Sequence, residues 1–245
     1  GGIDTFYAPY IRFNNKLIIK NSYQTDLQVE NNTGLEVIPQ IMTNSADEFL
    51  FVVDYIQSLG YKELNWNLGC PYPMVTKRGM GSGLICQPPK IDDILHRVHN
   101  ESDVIVSMKM RMGYEDSSEI LKVFPVLEKY PIKNIGIHAR IGKQLYKGDV
   151  DLISFERCTQ NTNHLLYYNG DIVDLESFKA IQNRFPKIGK PVYAGGYRSF
   201  FDITPDLKFI LGTDAQVKNL YHCLGAGQSL KYAPIFGELI AELIT

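Results

Sequence analysis

Cys70 follows an alternating apolar stretch and precedes a Gly-rich loop, in the run Asn65-Trp66-Asn67-Leu68-Gly69-Cys70-Pro71. Gly69 and Pro71 turn the chain out of the strand, so a thiol stands at its carboxyl end. Such a thiol can serve as nucleophile, acid or base, according to its pKa. Polar clusters recur at later strand ends: Lys109-Met110-Arg111, His138-Ala139-Arg140 and Asn169-Gly170-Asp171. Lys109 and Arg111 are two residues apart and share a face, and His138 and Arg140 repeat that spacing. Each has a plainer reading alone: a small buried hydrophobe, solvated rim cations, a structural histidine, an ordinary turn. Together, two cation pairs facing one mouth suit a phosphate, a flavin or a nucleotide. Asn169-Gly170-Asp171, and Gly195-Gly196 with Arg198 just beyond, supply Gly-containing turns for a phosphate. Lys77-Arg78, Lys143 and Lys147, with Tyr146 among them, suit splayed-out RNA, or simply form a solvated charged loop.

The elements that must position these groups alternate strand and helix. Strand-length apolar runs lie at 3–11, 36–42, 63–68, 104–110, 134–138, 164–168 and 191–194. Most are continuous and rich in Ile, Val, Leu or Tyr, as strands buried on both faces are. Helical patterns fall between them at 46–59 (capped by Ser45, ended by Gly60), 91–98, 117–129 with Pro125 inside, 149–159 and 174–185. This alternation predicts a parallel sheet. Seven strands are one short of a (βα)8 barrel. An open doubly wound sheet is the alternative, although no G-x-G-x-x-G follows an early strand. From about Pro205 the pattern changes: 214–223 and 230–244 read as helices, with no further strand.

The bulk numbers set bounds. The chain has 245 residues, is 44% hydrophobic and 21% charged, and carries a formal net charge of −2. A sizeable core is possible, and any nucleic-acid partner needs a local basic patch. Cys70, Cys86, Cys158 and Cys223 form no C-x-x-C pair, which argues against a zinc site or a disulfide framework and for a reducing cytoplasm. No apolar run reaches the roughly 20 residues of a membrane span, and the first residues do not read as a signal peptide.

The motifs, in order, resemble the tRNA-dihydrouridine synthases. Asn65 to Leu84, NWNLGCPYPMVTKRGMGSGL, resembles the family signature. Val37-Ile38-Pro39-Gln40-Ile41 is similar to its strand ending in a flavin-contacting glutamine. Met108-Lys109-Met110-Arg111-Met112-Gly113 resembles K-x-R-x-G. His138-Ala139-Arg140 with Gln144, Tyr146 and Gly148 resembles H-x-R…Q-x-Y-x-G, and Asn169-Gly170-Asp171-Ile172 matches N-G-D-I. The resemblance covers roughly residues 1–188.

The resemblance implies a (βα)8 TIM barrel that holds FMN and reduces particular tRNA uridines with NADPH as the electron source. It implies that Cys70 protonates C5 of the uracil as hydride reaches C6. Lys109 would lie near the flavin pyrimidine edge, Gln40 would bond the ring, and His138 would contact cofactor or uracil. Asn67, Arg111 and Arg140 would hold the substrate. Asn169, Gly170 and Asp171 would bind the FMN phosphate, with Gly195 and Gly196 as the second phosphate turn. The family's opening A-P-M-x-G-like turn has no counterpart before Gly1, so the expected barrel spans 1–204 as strands two to eight, followed by a helical segment at 205–245. Two departures mark the end of the barrel: Ala194-Gly195-Gly196-Tyr197-Arg198 displaces the arginine of the usual G-R-G turn, and the carboxy-terminal helical domain is short. Two other functions fit the same residues: an FMN barrel reductase of small molecules, and a tRNA-binding relative without flavin.

Overall fold

The computed structural model describes residues 5–14, 16–172, 175–185, 210–213 and 221–224. The chain divides into two compact units, one of Gly2–Val192 and one of Tyr193–Thr245 with Gly1. The boundary expected at 204 lies outside the described residues. The strand expected at 191–194 lies outside the described residues, as do Gly195 and Gly196.

The larger unit is α/β with parallel strands. Its strands are β1 (Thr5–Tyr7), β2 (Glu36–Ile38), β3 (Gln40–Ile41), β4 (Glu63–Leu68), β5 (Ile105–Arg111), β6 (Ile135–His138) and β7 (Leu166–Asn169). β1 pairs with β2, and β3 through β7 pair in chain order, all parallel. Order without reversal is the winding of a barrel side, since a doubly wound sheet reverses at a switch point. A closed ring is not recorded among the described strands.

Two expected strands are broken, each at a proline. The run 36–42 divides into β2 and β3 at Pro39, whose carbonyl still accepts from Asn65 N at 2.9 Å. The run 3–11 is β1, then an irregular stretch at Ala8-Pro9-Tyr10, then a parallel bridge from Ile11 to Ile41. A proline brings no N–H to a ladder, so pairing stops there.

The helices are α1 (Asn21–Leu27), α2 (Ala46–Ser58), α3 (Pro73–Thr76), α4 (Pro88–Glu101), α5 (Glu119–Leu127), α6 (Leu152–Gln160) and α7 (Leu175–Arg184). Ser45 caps α2 by accepting from Glu48 N, Asp47 and Glu48 face its dipole, and Gly60 leaves it at φ +90°. α4 begins earlier than its apolar pattern, because Pro88 occupies a first-turn position where no N–H is needed. Asp151 caps α6 through Ser154 N at 2.8 Å.

β4 is buried along its whole length. Trp66 within it donates from Nε1 to the Thr43 carbonyl at 3.0 Å and meets Phe49 of α2 edge-to-face at 5.5 Å. This contact fixes α2 on the sheet and levels the strand ends at Thr43 and Cys70.

In the smaller unit, β8 (Ile210–Thr213) and β9 (Tyr221–Leu224) form an antiparallel pair. The helix expected over 214–223 is therefore wrong at Tyr221–Cys223, and the expected all-helical tail contains strands. Pairing with Ile210–Thr213 satisfies this backbone, and such a tertiary partner overrides a weak local period. No described helix is long and apolar enough to cross a membrane.

Phe49→Ala should lower the unfolding free energy by about 3–5 kcal/mol, since it opens a cavity against Trp66. Urea denaturation of the purified variant measures this.

Candidate active site

The sheet register aligns the polar strand ends. Gln40 is opposite Asn65, Asn65 opposite Ser107, and Asn67 opposite Lys109. One step further out, Arg111 is opposite His138 and His138 opposite Asn169. Side chains two apart share a face, and all of these residues except the fully buried Ser107 line one cavity of about 1120 Å³, together with Cys70, Tyr72, Tyr146, Gly170 and Asp171.

A buried relay of amides builds the Cys70 corner. Asn65 Nδ2 donates to Ser107 Oγ at 3.0 Å, and Gln40 Nε2 to Asn65 Oδ1 at 2.8 Å. Asn67 Nδ2 donates to Gln40 Oε1 at 2.8 Å. Asn67 Oδ1 in turn accepts from the Gly69 and Cys70 amides at 3.0 and 3.1 Å. The Cys70 carbonyl is gripped from the other side by Ser82, through its amide at 3.0 Å and its hydroxyl at 3.1 Å. That grip needs Gly81, at φ +56°, where a Cβ would lie 2.5 Å from the Cys70 oxygen. The thiol rests among Met42, Val75 and Met80, with Tyr10 against them. Burial first, then Cys70 beside it, raise the Tyr10 pKa, so this phenol keeps its proton.

Cys158 and Cys86 do not line the cavity. Cys158 is in the core, its pKa pushed up to about 12 by burial, and Cys86 is exposed beside Glu119.

The opposite wall is cationic. Burial lowers the Lys109 pKa, and Arg111 lowers it further. Among the described residues its ammonium has no ion pair. Arg111 is 1% exposed, donates to the Ile141 carbonyl at 2.8 Å, and lies under the Tyr146 ring at 5.1 Å. Arg140 is buried and forms a two-point pair with Asp171, with 2.8 Å between Nη1 and Oδ1. Burial, then Arg111, Lys109 and Arg140, push the His138 pKa down to about 4, and Asp171 opposes them. Three cations face one carboxylate, an arrangement suited to an anionic or electron-rich ligand.

The structure thus brings Gln40, Asn67, Cys70, Lys109, Arg111, His138, Asn169, Gly170 and Asp171 to one cavity, with Arg140 buried behind His138 and Asp171 rather than lining it. It differs from expectation in what three of them do locally. Arg140 and Asp171 spend their polar groups on each other, and Asn67 holds the Cys70 turn. Gln40 and Asn67 each retain one amide N–H beyond the relay.

Sequence reading missed Ala8-Pro9-Tyr10, which lines the cavity directly after β1 and brings Tyr10 to Cys70. The Ala-Pro dipeptide after β1 was the available signal. Tyr72 and Tyr146 form a half-exposed ring pair 6.4 Å apart at the mouth. Lys77, Arg78 and Lys147 are exposed, whereas Lys143 is paired with Glu115.

Two outcomes are expected. Asn67→Ala orphans the Gly69 and Cys70 amides, which should cost about 1–3 kcal/mol for each buried donor and speed hydrogen exchange at both, read by mass spectrometry. The lowered His138 pKa means that the unfolded chain binds more protons between about 4 and the ordinary 6.5. Stability therefore falls as pH drops through that window, and His138→Gln should flatten the slope by up to one proton in urea titrations.

The family described as Dihydrouridine synthase (Dus) matches residues 4–187. The chain is similar to the probable tRNA-dihydrouridine synthase of Staphylococcus epidermidis, 29% identical over 154 residues, covering 61% of this chain and 47% of the relative. It is 32% identical over 123 residues to tRNA-dihydrouridine synthase B of Proteus vulgaris, covering 50% and 38%. It is 31% identical over 146 residues to probable tRNA-dihydrouridine synthase 2 of Bacillus subtilis, covering 58% and 45%. The chain spans under half the length of these three relatives. With most of its length matched, from β1 through α7, this chain belongs to the dihydrouridine synthase family.

Proposed function

We propose that this chain reduces uridine in tRNA to 5,6-dihydrouridine, with FMN as its bound cofactor and NADPH as the source of electrons. One observation carries the reading: Cys70 and Lys109 stand on neighbouring strand ends at one cavity, with Asn67 as the register partner of Lys109. The residues fit a flavin. Lys109 is a half-desolvated cation without a counter-ion among the described residues, and an electron-rich ring offsets that cost. A cavity of about 1120 Å³ is at the upper end for a cofactor cleft and leaves room for a base beside it.

The remaining N–H of Gln40, the Lys109 ammonium and His138 would hold the ring system, and the turn at Asn169 and Gly170 its phosphate. Asp171 serves by holding that turn through Arg140, since a carboxylate repels phosphate. When bound, the flavin would supply hydride for C6 of the uracil. Cys70 completes the addition by giving the Sγ proton to C5, which saturates the C5–C6 bond. The Asn67 and Ser82 bonds fix its backbone for that task, and Met42, Val75 and Met80 keep water from the sulfur.

The exposed cations Lys77, Arg78 and Lys147 on the segments after β4 and β6 favour a phosphate-bearing substrate over a free pyrimidine. The target uridine must leave its stack to enter, as in other base-modifying enzymes. The A-P dipeptide after β1 makes β1 the first barrel strand in this reading.

The test is mass spectrometry of an unmodified tRNA transcript after incubation with the full chain, FMN and NADPH. Dihydrouridine should form, and Cys70→Ala should cut its yield by about 100-fold or more while flavin binding and NADPH oxidation persist. Failure to take up FMN, or normal yield from Cys70→Ala, overturns the reading.

A further inference from the structure

Arg140 has five N–H groups, and all five end on this chain. Nε donates to the Gly148 carbonyl at 3.1 Å, and Nη2 to the same oxygen at 2.7 Å. Nη2 and Nη1 donate to the two Asp171 oxygens, the latter at 2.8 Å. The last N–H, on Nη1, meets His138 Nε2 at 3.0 Å. Every N–H of Arg140 is thus paired within the chain.

A guanidinium cannot accept a hydrogen bond. The 3.0 Å contact therefore requires a lone pair on His138 Nε2 and places the ring proton on Nδ1. The ring edge bearing Nε2 packs on the Asn169-Gly170-Asp171 turn. A Cβ on Gly170, at φ +133°, would stand 3.1 Å from Cδ2 and 3.4 Å from Nε2.

We propose that Arg140 is a positioning residue that holds His138 as the neutral Nδ1–H tautomer, with Asp171 and the Gly148 carbonyl fixing the plane of the guanidinium. The loop after β6 and the turn after β7 are tied at one point by this arrangement. His138 then enters the cavity as a hydrogen-bond donor through Nδ1, which has no partner among the described residues. Its ligand must offer an acceptor there, such as a carbonyl oxygen or an unprotonated ring nitrogen.

The charged and titratable groups facing His138 agree with a neutral ring. Lys109 and Arg111 come from β5, Arg140 from the end of β6, Asp171 from the turn after β7, and the Tyr146 ring stands at 6.2 Å. A second proton would set a fourth positive charge among three, against one carboxylate. Only the identity of the acceptor rests on the proposed function; the tautomer does not.

The experiment is long-range proton–nitrogen NMR of the full chain labelled with 15N-histidine, with His138 assigned by loss of its signals in His138→Gln. A protonated Nδ1 and an unprotonated Nε2 are expected from about pH 5 to 8. Arg140→Gln should bring in the Nε2–H form and raise the pKa of the ring. Asp171→Asn, which keeps the guanidinium but loosens it, should give a mixture. A protonated Nε2 in the unaltered chain overturns the proposal, as does an unchanged tautomer and titration in folded Arg140→Gln. If that variant does not fold, the spectrum of the unaltered chain decides alone. No dihydrouridine is measured, so this outcome and that of the tRNA assay are independent.

Discussion

Three amide side chains and a hydroxyl cannot be buried between three strands unless nearly every polar atom finds a partner. The row from Ser107 through Asn65 and Gln40 to Asn67 meets that demand, and it ends on the Gly69 and Cys70 amides. Each link depends on register. A slip of one residue in β4 would turn Asn65 and Asn67 to the other face and present Leu64, Trp66 and Leu68 to the cavity. The same row that specifies the pairing of β3, β4 and β5 thus fixes where the thiol stands. Desolvation makes the arrangement all-or-none, because a half-satisfied buried network costs more than an apolar one.

The opposite wall follows a different rule. Lys109, Arg111 and Arg140 gather positive charge where burial penalises it, and Asp171 answers only part of it. Arg111 is covered by Tyr146, and Arg140 is consumed by Asp171, Gly148 and His138. Lys109 alone keeps an unanswered charge. Polar satisfaction at the thiol and polar deficit at the lysine face one cavity, and the lysine side is complementary to an electron-rich group.

Much of this was legible from local chemistry. The Gly69-Cys70-Pro71 exit, the i, i+2 spacing of Lys109 with Arg111, and Ser45 with Gly60 around α2 are signals a few residues wide. Pro9 and Pro39 were visible too, but their effect was not. Each breaks a strand that apolar content alone would continue. Tyr10 was passed over because its apolar run masked the irregular stretch. The strand at Tyr221–Leu224 was read as helix because its partner lies outside any local window.

Residue types and their order determined that this chain is a repeating βα protein with a thiol, a lysine and a histidine on successive strand ends, because strand periodicity and turn residues act over short range. What those residues do to one another was decided in three dimensions. Asn67 and Arg140 carry the same side chains in any fold. Asn67 becomes the holder of the Cys70 turn, and Arg140 the partner of His138, because register and burial bring specific acceptors within 3 Å or so and remove the water that would otherwise compete.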